Sequence, residues 1–350
     1  CRINIYSFNF LGCFTRFFPL PEERFYPSVI SVDNFVIFVG GVGDLVSDAV
    51  DILDTNTESW TSLRLHTRRL FAVVASVGEK VFITGGNDLS ETVHDVELLD
   101  LGTNPPTLTV IGAIPYEIDI ESTKVVVLGT NLIFANNFLA IFQYDYTTNT
   151  TTSLQEAEHG TVLLGHFIEF GAFAIGDVGY VIINRGMYQY TPSNASSLTW
   201  IPFAQPIDNR EEIIQAFYIL GGVYLVTKES MFRLNMSSFE VVQLHRMSNM
   251  VHRAFASNDT IFMFTGPSPE VVNTVTTYHV LHEVKFSLPY TRYSFALQFL
   301  TAVASGGKLY VTGWTFNTPL PSTQVLVYDI QNSRYQYTPF EYAELEVFYE

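Results

Sequence analysis

Residues that could do chemistry are scattered along this chain rather than gathered into a motif. The sequence contains no Gly-x-Ser-x-Gly turn for a serine nucleophile, no His-Glu-x-x-His zinc helix and no P-loop. The carboxylates Asp44, Glu211 and Glu270 could act as acids or bases, but their spacing favours no particular pair. The two cysteines form no metal-ligand pattern. We therefore expect a non-catalytic protein without a metal or cofactor.

Four Asn-x-Ser/Thr sequences could accept N-linked glycans. They begin at Asn149, Asn194, Asn235 and Asn258. Glycans at these asparagines would place the protein in the secretory pathway. Short turns also collect Asn, Ser and Thr, so the same pattern arises without any glycan. Both interpretations remain open, and we expect an extracellular or cell-surface protein, with a cytoplasmic location as the alternative.

A repeat of about 46 residues positions these groups. An aromatic residue or leucine followed by a small or polar residue recurs, and the second members lie 46, 45, 46, 44, 44 and 50 residues apart. An apolar stretch typical of a strand precedes each pair. The pairs are Leu53-Asp54, Leu99-Asp100, Tyr144-Asp145, Tyr190-Thr191, Leu234-Asn235, Tyr278-His279 and Tyr328-Asp329. Short-strand repeats of this length predict an all-β propeller, in which each four-stranded blade buries its faces against its neighbours.

Each repeat is predicted to contain four strands, A to D, running from the central channel outward. In the first repeat these are 28–32, 35–39, 49–53 and 59–63, and in the second 71–77, 80–84, 95–99 and 107–111. Because neighbouring strands are antiparallel, the A–B and C–D turns share one face of the disc. The B–C and D–A connections lie on the other. All four sequons fall in A–B or C–D turns.

The first two repeats resemble the kelch family. Blade 1 reads Val36-Ile-Phe-Val-Gly40-Gly41, then Leu53-Asp54, then Trp60, then Arg68-Arg69. Blade 2 repeats the diglycine at Gly85-Gly86 and keeps Leu99-Asp100. The diglycine would let the backbone turn tightly against the neighbouring blade, and Trp60 or Trp200 would fill the wedge between blades. The resemblance implies an interaction propeller and allows an intracellular adaptor. It also implies that an arginine after strand D packs between blades, which could account for Arg69, Arg253 and Arg292.

A copper-radical carbohydrate oxidase is the remaining alternative that this resemblance raises. Galactose-oxidase-like enzymes place two tyrosines, two histidines and a cysteine on a similar propeller. The chain offers Tyr278-His279 and nearby His282, but no cysteine beyond Cys13. Tyr278-His279 is predicted at the outer end of a C strand, away from the axis. We therefore expect His279 to be an ordinary strand-end residue.

The two termini complicate the blade count. The segments 2–7 and 14–18 resemble a C and D strand pair, and 343–349 resembles a further A strand. We predict a half blade at 1–26, a seven-bladed propeller at 27–342 and an extra strand at 343–350. Seven blades are favoured, and eight are possible if the termini share a blade. Unpaired terminal strands could also pair with another copy of the chain. In this register Cys1 and Cys13 lie roughly 16 Å apart, too far for a disulfide.

Composition and charge narrow the class of partner. The net charge of −17 repels phosphate backbones and anionic lipid, so nucleic-acid and membrane-surface binding are not expected. The uncharged stretch 125–144 contains several amides and follows the strand register, so it is not expected to span a membrane.

The B–C and D–A loops form the predicted binding face because arginines and aromatic residues gather there. We expect this face to bind a protein or glycan partner, with acidic or carbohydrate groups favoured. A protein of this kind could also be a subunit of a larger assembly. The candidate residues are Arg68, Arg69, Arg210, Glu211, Arg246, Arg292, Tyr293 and Trp314.

Overall fold

The computed structural model describes residues 14–114, 123–136, 141–154, 170–192, 198–208, 211–257, 259–266, 274–281, 284–289, 298–314 and 324–329. The regular secondary structure of these residues consists of β-strands, arranged in seven four-stranded antiparallel sheets. The chain is therefore an all-β propeller with four-stranded blades, as predicted. In the part of the chain that the structure describes there is no apolar helix of membrane-spanning length.

The strands follow one another in chain order, except that β1 (Phe14–Pro19) belongs to the last blade. Blade 1 contains β2 (Ser28–Val32), β3 (Phe35–Val39), β4 (Ala49–Asp54) and β5 (Ser59–Arg64). Blade 2 contains β6 (Val73–Val77), β7 (Lys80–Thr84), β8 (Asp95–Asp100) and β9 (Thr107–Ala113). Blade 3 contains β10 (Thr123–Leu128), β11 (Asn131–Asn136), β12 (Ile141–Asp145) and β13 (Thr150–Leu154). Blade 4 contains β14 (Gly171–Ile175), β15 (Val178–Ile183), β16 (Gly186–Tyr190) and β17 (Thr199–Pro202).

The remaining blades continue the same order. Blade 5 contains β18 (Ile213–Ile219), β19 (Gly222–Thr227), β20 (Ser230–Leu234) and β21 (Val241–Arg246). Blade 6 contains β22 (Met250–Ser257), β23 (Thr260–Gly266), β24 (Thr274–His279) and β25 (Val284–Pro289). Blade 7 contains β26 (Gln298–Ser305), β27 (Lys308–Trp314) and β28 (Gln324–Asp329), with β1 as its fourth strand. The strands of blades 1 and 2 begin and end within two residues of the predicted limits.

The hydrophobic core lies between adjacent blades rather than within one sheet. Ile37 and Val50 of blade 1 pack in one cluster with Val81 and Leu99 of blade 2. Second strands such as β19 are buried along their whole length, because other blades cover both faces of the sheet. Fully burying one such side chain contributes about 1.5–3 kcal/mol. A single blade could not bury these faces alone, so the stability of each blade depends on its neighbours.

Both predicted tryptophan wedges are present. Trp60 packs against the core cluster shared by blades 7 and 1, and its ring centroid lies 5.7 Å from that of Phe38. Trp200 packs in the same way between blades 3 and 4, with its ring centroid 4.8 Å from that of Tyr188. Outer strands carry these large rings because the gap between radiating blades widens with distance from the axis.

The recurring polar residue at the end of strand C forms a side-chain turn. Asp54 Oδ1 accepts a hydrogen bond from the Asn56 N–H at 2.9 Å. Asp145 and Asn235 make the equivalent bonds to the N–H groups two residues later, at 2.8 Å and 2.9 Å. A short polar side chain at this position caps the strand and starts the C–D turn. This accounts for the aspartate or asparagine at these positions of the repeat.

The ring closes through the N-terminal strand, which corrects the prediction of a separate half blade. β1 pairs antiparallel with β28, and Phe17 lies opposite Leu326. Two hydroxyl bonds join blades 1 and 7 at the inner strands, Ser31 Oγ to the Ala304 carbonyl at 2.8 Å and Ser305 Oγ to the Asp33 carbonyl at 2.9 Å. The described blades thus form a closed ring of seven, in which β1 pairs within its own chain. Residues 2–7 and 343–349, with Cys1 and Cys13, lie outside the described residues.

Candidate functional site

The loop face, defined as the edge that carries the B–C and D–A connections, holds most of the predicted binding residues. Arg68, Arg69, Glu211 and Arg246 belong to described parts of it. Arg210, Arg292 and Tyr293 lie outside the described residues. Trp314 is the last residue of β27, and only its backbone is described. The structure therefore describes the side chains of four of the eight predicted residues.

Arg69 is a structural residue, and its prediction as a binding residue is wrong. Its side chain is fully buried, and Nη2 donates to Glu97 Oε1 at 2.6 Å. Nη1 donates to the Asp95 carbonyl oxygen at 3.1 Å. Burial lowers the pKa of the Arg69 guanidinium, and the opposing effect of the Glu97 and Asp95 carboxylates does not fully restore it. The guanidinium is thus used within blade 2 and is unavailable to a partner.

Arg24 repeats this arrangement in blade 1 and was missed at the sequence level. Its Nη1 donates to Asp51 Oδ2 at 2.5 Å, and its Nε donates to the Gly40 carbonyl oxygen at 2.7 Å. Both side chains are buried. Arg24 precedes Arg69 by one repeat length, so comparing the D–A loops at the repeat spacing would have found it. We call the pairs Arg24–Asp51 and Arg69–Glu97 the arginine staples.

The diglycine of blade 1 allows two D–A loops to approach it. A Cβ on Gly40 would lie 2.1 Å from the carbonyl oxygen of Arg69, and a Cβ on Gly41 would lie 2.3 Å from that of Phe25. Gly41 N–H also donates to the Arg69 carbonyl at 3.0 Å. Any larger residue would push these loops apart. The Arg69 backbone therefore holds blade 1 while its side chain holds blade 2.

Glu211 and Arg246, both predicted binding residues, come together in a groove of about 900 Å³ at blade 5. Glu211 accepts hydrogen bonds from the hydroxyls of Thr227 and Ser230, the latter at 2.7 Å, so its carboxylate fixes the D–A loop to the B–C turn. Arg246 is exposed and pairs with Glu229 at 3.2 Å. Asp208, Phe232, Gln243 and His245 also line the groove.

Ion pairs neutralise much of the positive charge on the described loop face. Arg64 pairs with Glu22 and Asp48, each at 2.6 Å. Lys228 pairs with Glu212, and Arg246 with Glu229. Arg68 is exposed, and its positive charge helps to lower the pKa of the nearby Asp88. The expected electropositive surface is thus absent from the part of the loop face that the structure describes.

Two exposed leucines stand on this face instead, and sequence reasoning missed them. Leu45 is 71% exposed and Leu89 is 73% exposed, and they occupy the B–C loops of adjacent blades. Each loop folds back on itself: Ser47 N–H donates to the Gly41 carbonyl at 2.8 Å, and Val93 N–H to the Gly86 carbonyl at 2.9 Å. The dipeptide Asp-Leu occurs in both loops, 44 residues apart, which is the signal that could have found them.

The second of these loops is rigid at its tip. Leu89 has a φ of +76°, a left-handed conformation that strains a residue with a branched side chain. The Asp88 carboxylate holds it there by accepting bonds from the Ser90 N–H and the Glu91 N–H at 2.9 Å and 3.0 Å. The Ser90 hydroxyl also donates to it, and these bonds lower the pKa of Asp88 to about 2. The carboxylate therefore stays ionised at neutral pH.

The opposite face carries two of the predicted glycan acceptors. Asn149 and Asn235 are both exposed in C–D turns. Asn149 Oδ1 accepts a bond from the Tyr144 hydroxyl at 2.9 Å, and Asn235 Oδ1 accepts the turn bonds of Ser237 and Ser238. The side-chain oxygens thus orient both amides. Asn194 and Asn258 lie outside the described residues.

The described residues contain no group of three or more histidines, cysteines or carboxylates placed to hold a metal ion. His279 ends β24 and lies with Nδ1 3.0 Å from Thr260 Oγ1. No protein-family model matches the chain, and no curated protein matches it. The class of protein is therefore defined by the fold, a β-propeller, and its loop face.

Proposed function

We propose that this chain is a non-catalytic, kelch-type binding propeller whose loop face holds a protein partner. The observation that carries the proposal is the pair Leu45 and Leu89, which stand exposed on adjacent blades. Burying a leucine contributes about 1.5–3 kcal/mol, so two such side chains can anchor an interface. A β-propeller is a rigid scaffold for loops of this kind.

The arrangement of these loops supports binding without a large ordering cost. Hydrogen bonds within each B–C loop fix the backbone on either side of the leucines. The diglycine and the arginine staples attach the same loops to the body of blades 1 and 2. Preorganised loops lose little conformational entropy when a partner binds. The strain at Leu89 also fits a functional position.

We further propose that the protein is an extracellular or cell-surface glycoprotein. The support is the exposure of Asn149 and Asn235 on the face opposite the leucines, where glycans would leave the loop face clear. The alternative is an intracellular kelch-type adaptor, which the diglycine and the staples support equally well. The intact mass of the native protein before and after enzymatic removal of N-glycans distinguishes the two. An unchanged mass contradicts the glycoprotein proposal.

Site-specific photo-crosslinking tests the binding face. A photoreactive amino acid replaces Leu45 or Leu89 in the full chain, which is then expressed in its source cells. Leu220 and Leu281 provide matched controls, since each is 65% exposed and lies in a turn on the opposite face. We expect one protein to be crosslinked from positions 45 and 89 and not from the controls. Equal crosslinking from all four positions contradicts the proposal.

A further inference from the structure

The charges around Leu45 and Leu89 define the chemistry of the partner. We propose that the partner presents a cationic segment carrying two apolar side chains, which contact Leu45 and Leu89 while its basic groups face the surrounding carboxylates. This inference rests on the proposed function, because it names the partner class of the same loop face.

Acidic residues dominate the loops of blades 1 and 2. Asp44 directly precedes Leu45, and Asp88 directly precedes Leu89. Glu23, Glu91 and Asp95 add further carboxylates to the same connections. Each leucine is therefore flanked in the chain by a negative charge, and a partner that covers both leucines also approaches these carboxylates.

The basic residues of the same loops do not balance this charge. Arg24 and Arg69 are buried in the staples. Arg64 already pairs with two carboxylates, Glu22 and Asp48. Arg68 is thus the remaining exposed guanidinium within residues 20–95, and its charge acts on a single neighbouring carboxylate, that of Asp88.

An acidic partner is disfavoured at this position for the same reason. The carboxylates of these loops outnumber the exposed guanidinium groups, and this excess repels an anionic ligand within about 8–10 Å at physiological ionic strength. The whole chain, with its net charge of −17, adds to that repulsion at longer range. A cationic segment is attracted both by the loop carboxylates and by the net charge of the chain. The Asp88 carboxylate remains charged throughout the neutral range.

A phage-displayed library of random linear peptides is the probe for this inference. The full chain is immobilised, and selected peptides are measured for affinity to three proteins. These are the wild type, the double variant L45A/L89A and the control variant L220N/L281S, which removes similarly exposed leucines from the opposite face. We expect peptides rich in lysine or arginine together with leucine or phenylalanine. Their affinity should fall at least about tenfold in L45A/L89A and stay unchanged in the control.

Charge and salt separate this inference from the function on which it rests. The variant D44N/E91Q keeps both leucines. It should bind the selected peptides more weakly, and the affinity should depend less on salt concentration than it does in the wild type. Peptides that need the leucines but are acidic or uncharged would overturn the inference and leave the binding face intact. Peptides that bind L45A/L89A as well as the wild type would overturn both the inference and the proposed binding face. If the inference is correct, a short cationic segment should suffice for binding. Failure to select any peptide whose binding depends on the leucines therefore also overturns the inference.

Discussion

Replacing Arg69 by methionine tests whether the second arginine staple holds blades 1 and 2 together. The substitution leaves the Glu97 carboxylate buried without its cation. It also removes a donor from the Asp95 carbonyl oxygen. Breaking a buried ion pair by removing one partner costs about 3–5 kcal/mol. We expect R69M to lower the free energy of unfolding by about that amount.

An exposed ion pair in the neighbouring loop provides the matched control. Arg64 has a side chain that is 60% exposed and pairs with Glu22 and Asp48 at 2.6 Å. Exposed pairs contribute about 0–1 kcal/mol, since water screens the charges. We therefore expect R64Q to lower the free energy of unfolding by less than about 1 kcal/mol. Both variants are unfolded in urea at neutral pH with circular dichroism as the signal. The dependence of the free energy of unfolding on urea concentration is compared with that of the wild type.

A double variant separates the buried charge from the lost packing. In R69M/E97L both charges are gone, so no ion remains desolvated, and stability should recover in part relative to R69M. Recovery is incomplete because the His66 N–H loses the Glu97 carboxylate that accepts its bond at 2.8 Å. The reasoning is refuted if R69M costs no more than R64Q, or if the double variant is less stable than R69M.

Three further predictions test the turns, the leucine loop and the closure of the ring. G78A should lower the free energy of unfolding by about 1–2 kcal/mol, because Gly78 has a positive φ but faces open space. G41A should lower it by more, because a Cβ on Gly41 would also strike a carbonyl oxygen. Urea unfolding compares the two variants. The low pKa of Asp88 means that its bonds are present above the ordinary carboxyl pKa and are lost as the pH falls through about 2. The Ser90 amide signal in NMR spectra should follow that titration, and a midpoint near 4 would contradict it. Deleting residues 14–19 should lower the urea midpoint, because β28 loses its outer neighbour; an unchanged midpoint would show that β1 does not close the ring.

Two adjacent arginines in the D–A loop before blade 2 show what could not be predicted from the sequence. Arg68 and Arg69 are adjacent and identical in type, yet Arg68 is exposed and Arg69 is fully buried. Their local sequence could not separate them, because the difference depends on which side chain faces Glu97 of strand β8. The exposed leucines have a sequence signal in the repeated Asp-Leu dipeptide, but that dipeptide does not record that its leucine faces solvent.

The sequence by itself determined the propeller, the four-stranded blades and the positions of the turns. These features follow from local signals: alternation of apolar residues, a polar residue that caps strand C, and glycines where the backbone needs a positive φ. Only the tertiary structure decided that β1 completes blade 7, that two arginines are buried as staples, and that the described loop face is acidic around two leucines. The physical reason is that these features depend on contacts between segments far apart in the chain, which no local pattern records.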